Sequence, residues 1–187
     1  MKPYLESTKA YIIKRNEIFI GLAVVVVLGG LIAGIAIATQ PNKPAIVYDP
    51  TEACSLFTAE EAEQLLGNDV LSTNNTEPLQ YENVTVSSCG YAQNTLNADS
   101  MRVAAVTVRS GINDTGAAQN KTEFTKSKSS KNIEEIPDVG EQAYYSPERG
   151  QLNVLKGRDW IVLSYGIGAT PAANTKEDLF KLADKVF

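Results

Sequence analysis

Hydrophobic and polar positions divide the chain into three stretches. Ile18 to Ala38, IFIGLAVVVVLGGLIAGIAIA, runs for 21 residues without a charge. As a helix it is about 32 Å long, enough to cross a hydrocarbon core of ~30 Å. It is apolar on every face, where a soluble helix keeps a polar stripe, so the pattern predicts one membrane-spanning helix over 18–38. Thr39 to Ala53 is polar and contains Pro41, Pro44 and Pro50. Proline removes backbone donors and favours extended chain, so 39–53 reads as a Pro-containing stalk. From Cys54 to Phe187 the apolar residues follow strand and helix periods in turn, which predicts one domain over 54–187.

Within that domain, Thr58-Ala59-Glu60-Glu61 is a capping box that starts a helix, and Gly67 ends it. Asn83–Ala92 and Met101–Ser110 are β-branched and alternate, as strands do. Gly116 to about Lys131 reads as a helix with a poor apolar face, made of Ala117, Ala118 and Phe124. Gln142–Tyr145, Gln151–Lys156 and Trp160–Tyr165 are three short strands. The turns at 146–150 and 157–159 are too short for parallel crossovers, so these strands run antiparallel. Lys176–Phe187 places Leu179, Leu182, Ala183 and Val186 on one helical face, capped by Asn174 or Thr175. The predicted order is α-β-β-α-β-β-β-α. This is an α+β fold with a single antiparallel sheet of about five strands, helices mainly on one face, and one transmembrane helix before it.

Charge orients the span. Residues 1–17 hold Lys2, Lys9, Lys14 and Arg15 against Glu6 and Glu17. Lys14 and Arg15 directly precede the apolar run, so the positive-inside rule makes 1–17 a cytoplasmic tail and puts the rest outside the cell membrane. Removing the tail from totals of 17 basic and 22 acidic residues leaves 13 and 20, a net charge of -7 outside. Ala36-Ile37-Ala38 would also suit a signal-peptide cleavage site. The apolar run is longer than the usual h-region of ~7–15 residues, which favours an uncleaved signal anchor. Gly30, Gly34 and Ala38 form a small-residue stripe through which two spans could pack as a homodimer; the alternative is the ordinary abundance of small residues in spans.

The chain has no histidine. That removes Ser-His-Asp and Cys-His catalysis and histidine-based zinc sites. No P-loop, dinucleotide fingerprint or EF-hand loop is present, so no cofactor or metal is expected. Glu60, Glu61, Glu63, Glu134, Glu135, Asp138 and Glu141 could supply an acid/base pair for a carboxylate-dependent hydrolase. Helix capping and a solvated acidic run account for most of them, and the expectation is a non-enzyme. Cys54 and Cys89 are an even pair outside the membrane, which argues for one disulfide over two buried thiols. Lys121, Lys126, Lys128 and Lys131 lie in KTEFTKSKSSK. They could meet a polyanion, or simply form a wet helix face. No aromatic platform accompanies them, so no nucleic-acid partner is expected. Asn74, Asn83, Asn113 and Asn120 each begin an N-x-T sequon, and Tyr144, Tyr145, Trp160 and Tyr165 could line a cleft or fill the core.

Asp49-Pro50, Cys54-Ser55-Leu56-Phe57-Thr58-Ala59-Glu60-Glu61, Leu65-Leu66-Gly67, Cys89-Gly90-Tyr91 and Ile136–Tyr144 together resemble an uncharacterised family of small secreted or lipid-anchored cell-envelope proteins of actinobacterial type. The resemblance covers about residues 49–187. It implies a disulfide between the two matched cysteines and an envelope location, and it brings no catalytic residues. Members often carry a lipidated cysteine where this chain has an apolar helix. The functional expectation is a membrane-anchored extracytoplasmic binding module for an envelope protein or glycan. A ligand sensor coupled to a separate cytoplasmic partner is the alternative.

Overall fold

The computed structural model describes residues 43–67, 69–95, 100–129, 132–167 and 174–187. The expected tail 1–17, the apolar span 18–38 with Gly30, Gly34 and Ala38, the first part of the stalk, and Lys131 lie outside the described residues. Among the described residues, no helix is long and apolar enough to cross a membrane.

The elements follow in chain order. Helices α1 (Ala53–Leu56) and α2 (Ala59–Leu66) come first. Strands β1 (Val70–Ser72), β2 (Thr76–Tyr81), β3 (Val84–Gln93) and β4 (Arg102–Gly111) follow. Helix α3 (Asp114–Lys128) leads to β5 (Glu134–Ile136), β6 (Gln142–Ser146), β7 (Gln151–Lys156) and β8 (Asp159–Ile167), and α4 (Lys176–Val186) ends the chain. The fold is α+β around one antiparallel sheet. The sheet has eight strands, not about five. Its order is β1-β3-β4-β8-β7-β6-β5, and β2 shares the β3 edge with β1. The three additional strands are β1, β2 and β5. Two of them are three residues long, and β2 contains Pro78 and shifts register between Thr76 and Leu79. β1 and β5 are too short to show the alternation that reveals a strand, and Pro78 masks the short alternation of β2.

Local signals set the helices. The Thr58 hydroxyl accepts from Glu61 N–H while the Glu61 carboxylate accepts from Thr58 N–H, so the capping box forms as its sequence predicts. Thr175 caps α4. α1, α2 and α4 cover one face of the sheet. Register places Cys89 beside Val106, Val106 beside Leu163, and Leu163 beside Leu152, one row running across four strands. These residues, with Phe57, Ala62, Leu66, Leu179 and Leu182, are buried in the main core.

α3 lies alone on the opposite face. Its Phe124 packs against Tyr144, Leu155 and Trp160 in a second, smaller cluster. The expected apolar face of this helix was Ala117, Ala118 and Phe124, whereas the buried residues are Gly116, Asn120 and Phe124. Gly116 permits backbone contact: a Cβ there would stand 1.9 Å from the Asn83 carbonyl oxygen, and one on Gly111 would stand 2.5 Å from Ala117 N. Asn120 Nδ2 donates to the Arg109 and Arg158 carbonyls at 2.7 and 2.8 Å, tying the helix to β4 and to the β7–β8 turn.

The last part of the expected stalk is bonded to the domain, and the compact unit runs from Pro44 to Phe187. Val47 and Tyr48 N–H donate to the Ile112 carbonyl. Tyr48 OH donates to Asp114 Oδ1 at 2.5 Å, and Arg158 stacks on the Tyr48 ring with its Nη2 on the Asp49 carbonyl at 2.5 Å. Thr51 Oγ1 donates to Asp159 Oδ2 at 2.7 Å. Residues 44–52 thus form a strap along one end of the sheet.

Candidate functional site

α3 covers only part of its face of the sheet. Beside it, the β2–β3–β4 corner stays open. A groove of about 510 Å³ lies there, lined by Tyr81, Glu82, Val84, Val86, Arg109, Gln119 and Glu123. That volume falls in the range of small-ligand sites. Strand alternation builds it. Register pairs Leu79 with Val86 and Tyr81 with Val84, and places Arg109 across from Val86, so all five share the face that α3 occupies. Gln119 and Glu123 are one turn apart on α3 and form the opposing wall.

The groove joins two chemistries. Tyr81 is 57% exposed on the groove, and its neighbour Leu79 is 55% exposed on the same face. Arg109 on the sheet forms a salt bridge to Glu123 of α3, which leaves that pair locally charge-balanced. Farther along the same face, Ser88 and Thr107 hydroxyls lie 3.2 Å apart and are half-buried. Buried Asn120 holds the Arg109 backbone from beneath, so the helix and the arginine are fixed to one another.

The other sequence-selected residues fall elsewhere. Cys54 and Cys89 are bonded as a disulfide that ties α1 to β3. Its loop of about 36 residues is worth roughly 4 kcal/mol on the chain-entropy model. The lysines do not share one face. On a helix Lys126 lies about 140° from Lys121, whereas Lys128 lies about 20° from it. Lys128 pairs with Glu135 at 2.9 Å. Four of the seven carboxylates of the hydrolase reading are separately engaged: Glu61 in its cap, Glu134 with Lys176, Glu135 with Lys128, and Glu141 accepting from Gly157 N–H. Tyr144 and Tyr165 are core residues. Asn120 is fully buried and Asn113 caps α3 with its side-chain oxygen, so neither of these sequons presents a free amide in the folded chain. Among the described residues no cluster of metal-ligating side chains is present.

The groove residues Tyr81, Arg109, Gln119 and Glu123, and the neighbouring Leu79, were not singled out from sequence. The one signal for them is the i, i+2 spacing of Leu79 and Tyr81, and Pro78 masks it as a strand. Compared with known protein families, with curated proteins and with solved structures, the chain matches none.

Proposed function

We propose that this chain is a non-catalytic binding module held outside the cytoplasmic membrane by residues 18–38, with its N-terminus in the cytoplasm. The uncleaved signal anchor, the lipid bilayer as partner and the extracytoplasmic domain follow from the apolar run and the charges before it. The disulfide is compatible with that compartment. The likeness to secreted and lipid-anchored envelope proteins belongs to the same proposal. One observation carries the binding reading: an open groove lined by an exposed tyrosine and a charge-balanced Arg–Glu pair. Its contact is an envelope protein or glycan.

A sensor reading is favoured by one further observation. Asp114, which holds the strap through Tyr48, is the first residue of the helix whose flank lines the groove. A ligand that shifts α3 would therefore act on the strap leading toward the membrane.

Photo-crosslinking in intact cells tests the proposal. A benzophenone amino acid is placed at Gln119, in the groove, and at Glu177, exposed on α4. Capture of one discrete protein or glycan from position 119 and not from 177 is the expected result. Equal capture from both positions, or none from either, would sink the groove as the contact surface.

A further inference from the structure

We infer that the groove between β2 and α3 takes an uncharged saccharide chain. This rests on the reading of the groove as a ligand site and adds the chemistry of what enters it.

The argument begins with Tyr81. Its ring is 57% exposed on one wall, and the C–H faces of a sugar ring pack on such a surface without needing a deep pocket. Arg109 on the sheet floor and Glu123 and Gln119 on α3 line the rest of the groove. Together they present N–H donors and carboxylate or amide acceptors side by side, the pairing that hydroxyl groups satisfy because each both donates and accepts. The Ser88 and Thr107 hydroxyls extend this polar floor along the same face. Val84 to Ser88 on β3 spans about 13 Å, room for more than one ring.

Competing ligands fit less well. The charged residues of the groove are Arg109, Glu82 and Glu123, an acidic excess that repels a polyanion. A peptide adding to the β2 edge would meet Pro78, which offers no N–H, and a break in register between Thr76 and Leu79. A lipid chain would have to desolvate the Arg109–Glu123 pair and the Ser88–Thr107 hydroxyls.

The test uses the full chain in detergent micelles and isothermal titration with maltohexaose, cellohexaose and chitohexaose, set against polygalacturonate as an acidic polymer. Saturable binding of at least one uncharged hexasaccharide is expected. Tyr81→Ala should weaken it about tenfold, a change of ~1.4 kcal/mol. Tyr81→Phe, which keeps the ring, should stay within about threefold. Because Tyr81 is exposed, unchanged circular dichroism of both variants is expected. No binding of any uncharged hexasaccharide, preference for polygalacturonate, or indifference to Tyr81→Ala would each overturn the inference. If the sugars fail while the Gln119 crosslinker captures a protein, the saccharide assignment falls and the binding-module reading survives. If both fail, the binding reading falls with it.

Discussion

Tyr48 shows how one side chain can define where a domain begins. Its hydroxyl donates to the Asp114 carboxylate, which raises the phenol pKa above its usual value of 10.0; the carboxylate charge adds to the rise, and the Arg158 guanidinium stacked on the ring opposes it more weakly. A folded-state pKa raised above the unfolded one stabilises the fold fully below the unfolded value. That contribution disappears as pH climbs past 10 and through the raised pKa. The difference between alkaline absorbance titrations of the native chain and Tyr48→Phe should therefore isolate one phenol with a midpoint above 10. Asp114→Asn should bring that midpoint back down. A midpoint that ignores Asp114→Asn would remove the hydrogen bond from the account. No pattern in the sequence joins Tyr48 to Asp114 and Arg158, because the three lie far apart along the chain and meet only when the sheet is assembled.

Among the elements, legibility followed the range of the signal. The capping box at Thr58 and Glu61, the cap at Thr175 and the 151–156 strand were readable because each is specified within a few residues. β5 was hidden because Glu134 and Glu135 look like a solvated acidic run, yet they pair in register with Tyr145 and Tyr144. α3 was legible as a helix and not as a packing surface. Glycine and asparagine fill two of its three buried positions, so the apolar period that marks a packed helix is nearly absent. The groove was missed for the same reason, since its helical wall is defined by where α3 docks. Docking must then lean heavily on Phe124, which is fully buried between Tyr144 and Trp160. Phe124→Ala should cost about 3 kcal/mol or more in urea unfolding. It should also shift Trp160 emission to the red and weaken whatever binds at Gln119 and Glu123. Loss of stability with unchanged tryptophan emission would place the helix anchor somewhere other than Phe124.

At the scale of the whole molecule, the α+β class and the antiparallel meander at residues 142–167 were visible from turn lengths. The strand order was not, because β4 pairs with β8 across an intervening helix and three strands. The domain boundary was likewise displaced. Three prolines make residues 39–53 look like free chain, but proline marks extended backbone as readily when that backbone lies against a sheet. The strap contributes bonds to the domain through Val47, Tyr48, Asp49 and Thr51, each joining it to β4, to Ile112 and the start of α3, or to the 157–159 turn. Each such bond is worth ~1 kcal/mol, and together they anchor the strap to the domain. A fragment spanning 44–187 should therefore unfold at a higher urea concentration than one spanning 53–187, although both keep the Cys54–Cys89 disulfide and both helix-covered faces of the sheet. The two m-values should be nearly equal, because the core they expose is the same. Coincident midpoints would mean that residues 44–52 lie on the surface without holding it together. In that case the route from the groove through α3 to the strap, on which the proposed sensor reading depends, would have no energy to transmit.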